Sequence, residues 1–279
     1  MTVRLFATDL DGTLLRSDGT VSDRTRAALK AATDAGLIIA FVTGRPPRWL
    51  DDVIEETGHI GLAVGANGAV LYDMVEEEYL TVHTLEPELM VELGTELRSE
   101  FPEVQFAVEY GHGFAAEPDY VHDWDINPEF DRKGRRIPEP LLAHLDVIAA
   151  QPAMKLLAKD RSIDVDVFLQ SALELIGDRA SITHSSSFGL LEIAKAGVTK
   201  ATGLAELATR HGVTHDEVLA IGDMPNDVPM LSWAGHAVAV ANAHPEVLAI
   251  ADEVTESNDE DGVAKALDRW WPPVEDAVS

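Results

Sequence analysis

The sequence predicts an α/β fold, a Rossmann-like doubly wound parallel sheet interrupted by an inserted α/β domain, on three observations. Short apolar runs alternate with amphipathic stretches at both ends of the chain. Those runs are continuously apolar, as expected of parallel strands covered by helices on both faces. The middle third loses this rhythm and regains it only after about residue 188.

Taken in order, residues 3–8 read as a buried strand. Residues 22–35 read as a helix with Ser22 as N-cap and Gly36 just past its end. Residues 37–42 form a second apolar run bounded by Gly36 and Gly44, residues 46–57 read as helical, and 62–64 as a third strand before Gly65. Toward the C-terminus the same alternation gives helix 199–211, strand 218–221, helix 226–233, strand 236–240, and helices 244–250 and 262–270. The division is therefore 1–83 with 188–279 as one domain, and 84–187 as the inserted one, with strands at 105–109 and 154–158. Residues 111–140 show little periodicity and contain His112, Tyr120, Trp124 and the basic cluster Arg132, Lys133, Arg135 and Arg136.

At 279 residues with 46% hydrophobic and 25% charged side chains, the composition is that of a globular protein able to bury a full core. No apolar run reaches the roughly 18 residues of a membrane span, and the N-terminus runs straight into a strand rather than a secretory signal, so a cytoplasmic protein is expected. Zero cysteines exclude disulfides and thiolate chemistry and leave oxygen and imidazole ligands for any metal. A net charge of −28 argues against nucleic acid or anionic membrane as partner. It also means that an anionic substrate must be held by cations within the site, since screening over about 8 Å softens the distant field.

The chemistry begins at the end of the first strand, in Asp9-Leu10-Asp11-Gly12-Thr13-Leu14. Carboxyl ends of parallel strands are where such sheets hold ligands. A carboxylate is already ionised at neutral pH and needs no partner base to attack phosphorus, so Asp9 is the candidate nucleophile. Asp11 would offer its backbone carbonyl to a metal and its carboxyl for proton transfer, with nearby carboxylates raising its pKa. Gly12 permits the sharp exit that returns Thr13 toward the site. At the tip of the next strand, Thr43-Gly44-Arg45 offers a hydroxyl and, with the helix read at 46–57, backbone amides for an anion; Arg45 is either a clamp or a solvated side chain. Lys200 opens a helix, where a cation is unfavourable on dipole grounds, and could neutralise a phosphoryl group together with Asp9. Asp223 and Asp227, after another buried strand, supply hard oxygen ligands that suit Mg²⁺.

These four elements, in this order, resemble the four signature motifs of the haloacid dehalogenase superfamily of phosphatases. The long insert resembles the α/β cap of the Cof-type sugar phosphatase branch. Gly65-Ala66-Asn67-Gly68-Ala69, Leu191-Glu192-Ile193 and Val240-Ala241-Asn242-Ala243 agree with it as well. The resemblance implies a Mg²⁺-dependent phosphatase acting on a small phosphorylated metabolite, a sugar phosphate first, through an aspartyl phosphate on Asp9. Asp11 becomes acid and base, with Thr43 and Lys200 holding phosphate beside Leu10, Gly44, Arg45, Asn67 and Asn226. Asp9, Asp11 and Asp223 would bind the metal, with Asp227 behind them.

The cap residues His112, Tyr120, Trp124 and the basic cluster are candidates for touching the leaving group, although each also fits a packing or solvated role. Lys155 and Lys159 read equally well as surface residues of a strand, and His184 and His244 as structural. A phosphomutase would keep the same residues and differ in what attacks the intermediate. A phosphoacceptor signalling domain would share the strand-end aspartate but lack an insert of this size. A carbon–halogen hydrolase needs neither Asp11 nor the metal, and a silent binding protein would tolerate loss of Asp11 or Lys200. A monomer or homodimer is expected.

Overall fold

The computed structural model describes residues 2–59, 61–111, 113–120, 139–184 and 189–271. Its larger sheet is built from β1 (Leu5–Thr8), β2 (Ile38–Val42), β3 (Leu62–Gly65), β4 (Val70–Asp73), β5 (Glu78–Val82), β12 (Val218–Gly222), β13 (His236–Ala239) and β14 (Glu253–Val254). The strand order is β14-β13-β12-β1-β2-β3-β4-β5. Strands β14 to β3 run parallel. β1 is flanked by β2 on one side and β12 on the other, so the chain winds outward in opposite directions from it. The crevice at that reversal, outside the strands' carboxyl ends, is where open α/β sheets bind ligands.

Helices cover this sheet as the apolar strands require. α1 (Asp23–Asp34) packs on α2 (Asp51–Thr57) and α9 (Gly262–Trp270); α6 (Lys200–Arg210) packs on α7 (Val228–Trp233), which packs on α8 (Pro245–Ile250). The Ser22 side chain caps α1 by accepting the Thr25 N–H. His244 caps α8 through Nδ1, in line with a structural role. The expected helix at 46–57 is instead a short 3₁₀ turn, Pro47–Trp49, followed by α2. The strands β4 and β5, which were not expected, run antiparallel and extend the sheet at one edge. A four-residue connection after β3 cannot make a parallel crossover, so the chain returns as a hairpin.

The smaller sheet has the order β10-β11-β9-β6-β7-β8. It comprises β6 (Gln105–Glu109), β7 (Phe114–Ala116), β8 (Leu141–Leu142), β9 (Lys155–Lys159), β10 (Ala180–Thr183) and β11 (Leu190–Lys195), with α3 (Pro87–Glu100), α4 (Leu145–Ile148) and α5 (Val165–Ile176). β11 pairs with β9 and β10, so residues 190–195 belong to this sheet and not to the flanking segments, where a division at 187/188 puts them. Period-2 alternation sorts its side chains. Phe106, Val108, Leu156, Ala158, Leu191 and Ile193 enter one apolar core with the helices. The intervening positions, among them Glu109, Lys155, Leu157 and Glu192, lie on the opposite face. Among the described residues no helix is long and apolar enough to cross a membrane.

One backbone contact brings α6 to the crevice. Gly68 has φ +100°, and a Cβ there would lie 2.0 Å from the Thr199 carbonyl oxygen, next to Lys200 at the start of α6. Gly68→Ala should therefore lose about 3 kcal/mol of stability from strain and overlap. Urea unfolding of the variant checks this, and an unchanged midpoint would contradict the close approach.

Candidate active site

Each of the motif residues sits at a carboxyl end of a strand or a helix start facing the same crevice. Asp9 follows β1, Thr43 follows β2, Asp223 follows β12, and Lys200 begins α6. The Asp9 N–H donates to the Ile221 carbonyl at 3.0 Å, and the Thr43 N–H to Val64 at 2.8 Å, so the strand ladders hold both loops. Gly12 has φ +77°, and a Cβ on it would meet Asp223 Oδ2 at 2.4 Å, which explains glycine at that exit.

Lys200 is the centre of the charge arrangement. Its Nζ donates to Asp9 Oδ1 at 2.7 Å and to Asp227 Oδ1 at 2.5 Å, and its side chain has no exposed surface. The other Asp227 oxygen accepts the backbone N–H groups of Asp223 and Met224, both at 3.0 Å. Thr13 Oγ1 donates to Asp223 Oδ1 at 2.7 Å. Burial, with Asp227 adding to it, raises Asp9 well above the ordinary carboxylate range against the opposing charge of Lys200. Burial and Asp227 likewise push Asp223 up to about 7. Burial disfavours the Lys200 ammonium, but Asp227 and Asp9 outweigh it and raise its pKa.

Asp9, Asp223 and Asp227 are all buried, and one carboxylate oxygen from each lies within 4.8 Å of the others. One ammonium faces three carboxyl groups, so full ionisation would leave excess negative charge in a low-dielectric setting, which is why burial and Asp227 raise Asp9 and Asp223. An all-oxygen donor set with that excess fits a hard divalent cation of the Mg²⁺ kind.

The Asp11 carboxylate stands apart from the cluster. It is bidentate with Arg45, at 2.8 Å from Nε and 2.5 Å from Nη2, and its side chain is 59% exposed. The side chain turns toward this cation. The amide supply after β2 is smaller than expected: residues 46 and 47 are prolines, which have no N–H, and the Arg45 N–H donates to Thr43 Oγ1 at 3.0 Å. No helix N-terminus of the expected kind is formed there. The Leu10 side chain is fully buried, which leaves only its backbone for any ligand. Asn226 Nδ2 donates to Asn67 Oδ1 at 3.1 Å, and Asn67 Nδ2 to Glu192 Oε2 at 3.0 Å.

A cavity of about 160 Å³ opens in front of these groups, bordered by Asp9, Asp11 and Arg45 from one side. Glu109, Lys155 and Glu192 of the smaller sheet border it from the other, with Phe114, Tyr120 and Leu157. Lys155 and Lys159 are thus buried, at 3% and 5% exposure, rather than surface residues, because their strand turns this face toward the larger sheet. His184 is buried as well and is not a member of the carboxylate cluster. Of the suspected cap residues, Tyr120 borders the cavity. His112, Trp124 and the basic cluster of residues 132–136 lie outside the described residues. Sequence reading missed Arg48 and Glu109 and left Lys155 open as a surface residue. The available signal was period 2: in residues 155–159 the lysines share a face with Leu157, while Leu156 and Ala158 supply the core.

The chain matches the model of the haloacid dehalogenase-like hydrolase family over residues 6–267. Several relatives from Bacillus subtilis (strain 168) carry the name 5-amino-6-(5-phospho-D-ribitylamino)uracil phosphatase. YcsE is 29% identical over 275 residues, covering 96% of each chain. YwtE is 30% identical over 287 residues, covering 96% of this chain and 98% of its own. Among solved structures, BT1666 from Bacteroides thetaiotaomicron, described among phosphatases of the haloalkanoate superfamily, aligns with a TM-score of 0.77 at 26% identity, over 96% of this chain and 95% of that one. SMU.1108c from Streptococcus mutans UA159 shares the fold, with a TM-score of 0.83 at 23% identity over 96% and 99% of the two chains. With its motifs gathered at one crevice and the family pattern matched from Phe6 to Leu267, the chain belongs to the haloacid dehalogenase-like hydrolases.

Proposed function

We propose that the chain is a divalent-metal-dependent phosphatase that cleaves a small phosphomonoester, of a sugar or sugar alcohol, through an aspartyl phosphate on Asp9. The observation that carries this reading is the buried Asp9 carboxylate, paired with Lys200 at the carboxyl end of β1 and bordering the cavity. The printed names of the relatives support a phosphomonoester substrate, and their phosphoribitylamino compound supports a polyol-bearing leaving group.

In the first half-reaction an Asp9 oxygen forms a bond to phosphorus as the phosphorus–alkoxide bond breaks. Asp11 gives a proton to the departing oxygen, so the alcohol leaves neutral. In the second, Asp11 takes a proton from water as the water oxygen attacks phosphorus. The Asp9–phosphorus bond then breaks, returning the carboxylate and inorganic phosphate. Thr43, Lys200 and Asn226 hold the phosphoryl oxygens. Arg45 must leave Asp11 before that carboxyl can carry a proton, and the substrate anion offers the guanidinium an alternative partner. Asp9, Asp223 and the backbone of Asp11, with Asp227 behind, would hold Mg²⁺, which when bound would supply charge neutralisation of the phosphoryl group.

Phosphate release from a panel of sugar phosphates, nucleotides and vitamin phosphates tests the activity, and a phosphate moved along a hexose ring without release would support a mutase instead. EDTA should abolish turnover and Mg²⁺ restore it, whereas full activity in EDTA would contradict the carboxylate cluster's role. Asp9→Asn should reduce turnover by at least about 10³-fold. Its Tm should stay near the wild-type value, because an amide removes the cost of a buried charge and still accepts from Lys200. Asp11→Asn should slow both half-reactions. With acetyl phosphate, whose leaving group needs little protonation, phosphoenzyme should accumulate in that variant; rapid acid quench and intact-mass analysis read this directly.

A further inference from the structure

Four charged side chains from distant parts of the chain meet between the two sheets. Arg48 Nη2 donates to Glu109 Oε1 at 3.0 Å, and Lys155 Nζ lies 2.9 Å from Glu109 Oε2. Lys155 Nζ also donates to Glu192 Oε2 at 2.7 Å and to the Gly44 carbonyl oxygen at 2.8 Å. All four side chains are 5% exposed or less. Glu109 and Lys155 are direct partners across β6 and β9, and Glu192 stands on the adjacent β11.

Such a cluster is an expensive way to join two sheets. Replacing buried ion pairs with apolar side chains is often neutral or stabilising, so stability alone gives weak reason for it. What this ammonium does that an apolar residue cannot is bind the backbone of the Thr43–Arg45 loop. That loop is gripped from several directions. A Cβ on Gly44 would lie 3.2 Å from Asn67 Oδ1 and 3.6 Å from both oxygens of Glu192. The N–H groups of Ala66 and Asn67 donate to the carbonyls of Arg45 and Thr43, both at 3.0 Å. Lys155 therefore donates to Glu192 and to the loop itself and lies in ion-pair range of Glu109, so two carboxylates fix its position while one donor holds the loop. Burial disfavours its charge, and Glu109 with Glu192 restores it, so the ammonium is retained at neutral pH. Lys155 and Glu192 also border a neighbouring cavity of about 300 Å³, so these two side chains stand between two spaces.

We propose that Lys155 is a positioning residue of the inserted sheet: by holding the Gly44 carbonyl it sets the Thr43–Arg45 loop to receive the phosphoryl group, coupling the docking of the two sheets to anion binding. This rests on the reading of that loop as a phosphate holder. Glu109 and Glu192 act through Lys155 by fixing its ammonium.

The test separates positioning from mere support. Lys155→Met leaves two buried carboxylates short of a cation and should lower Tm; adding Glu192→Gln removes one of those charges and should regain most of that loss. The Gly44 carbonyl still lacks its donor in the double variant. Orthovanadate with Mg²⁺, titrated by calorimetry well below each variant's Tm, should bind at least about 30-fold more weakly to both than to wild type, the scale of one lost charge-assisted hydrogen bond. Recovery of affinity together with Tm in the double variant, or affinity of Lys155→Met within about threefold of wild type, would overturn the proposal. Lys155→Gln, judged by the same two thresholds, replaces any variant that does not fold. Wild-type protein that binds orthovanadate but releases no phosphate from the panel sinks the phosphatase reading while leaving this comparison intact; wild-type protein that does not bind it overturns both.

Discussion

The buried ammonium of Lys200 between Asp9 and Asp227 is the constraint around which the rest of the site is arranged. A lysine without exposed surface is tolerated only when its charge is matched, and here the ends of β1 and β12 supply two carboxylates within 2.7 Å. The arrangement requires α6 to begin beside the crevice, which in turn requires the close approach of Gly68 to Thr199. It also requires Asp227 to spend one oxygen on Lys200 and the other on two backbone N–H groups, so it orients its neighbours more than it offers itself to a ligand. Three carboxyl groups against one ammonium would be anionic when fully ionised, and this imbalance, rather than any one residue, is what suits the cluster to a divalent cation.

A chain with net charge −28 that handles an anion must solve the repulsion locally. Among the described residues, the cations bordering the cavity are already matched to carboxylates, Arg45 to Asp11 and Lys155 to Glu109 and Glu192, as is Lys200 behind Asp9 to Asp9 and Asp227. The Arg45 pair is the most exposed of these, and it is the one that a substrate anion can most readily exchange for itself. The two sheets thus divide the work. The carboxylate cluster stands on the larger one, while the smaller one closes the cavity with aromatic, aliphatic and internally neutralised side chains.

Much of this was legible in the residues. Continuous apolar runs located the parallel strands because burial on both faces leaves no alternation to read, and the strand-end motifs located Asp9, Thr43, Lys200 and Asp223 because their chemistry is local in sequence. The hairpin β4 and β5 was not legible: β5 is a half-exposed edge strand with a weak pattern, and β4 is a buried run of only four residues. Nor was the charged cluster of residues 48, 109, 155 and 192, whose members share no local spacing and become neighbours only through sheet pairing. A buried lysine also has the same letter as a solvated one. Asp11 and Arg45 were each singled out, but their pairing across 34 positions depends on how two loops face each other.

The central claim is that Asp9 carries the phosphoryl group. Rapid acid quench during turnover, borohydride reduction and peptide mass mapping report it most directly, because reduction of an aspartyl phosphate converts that residue to homoserine. The account predicts homoserine at position 9, dependent on substrate and Mg²⁺. Modification at another residue, or none during demonstrated phosphate release from a slowly dephosphorylating Asp11→Asn protein, would contradict it.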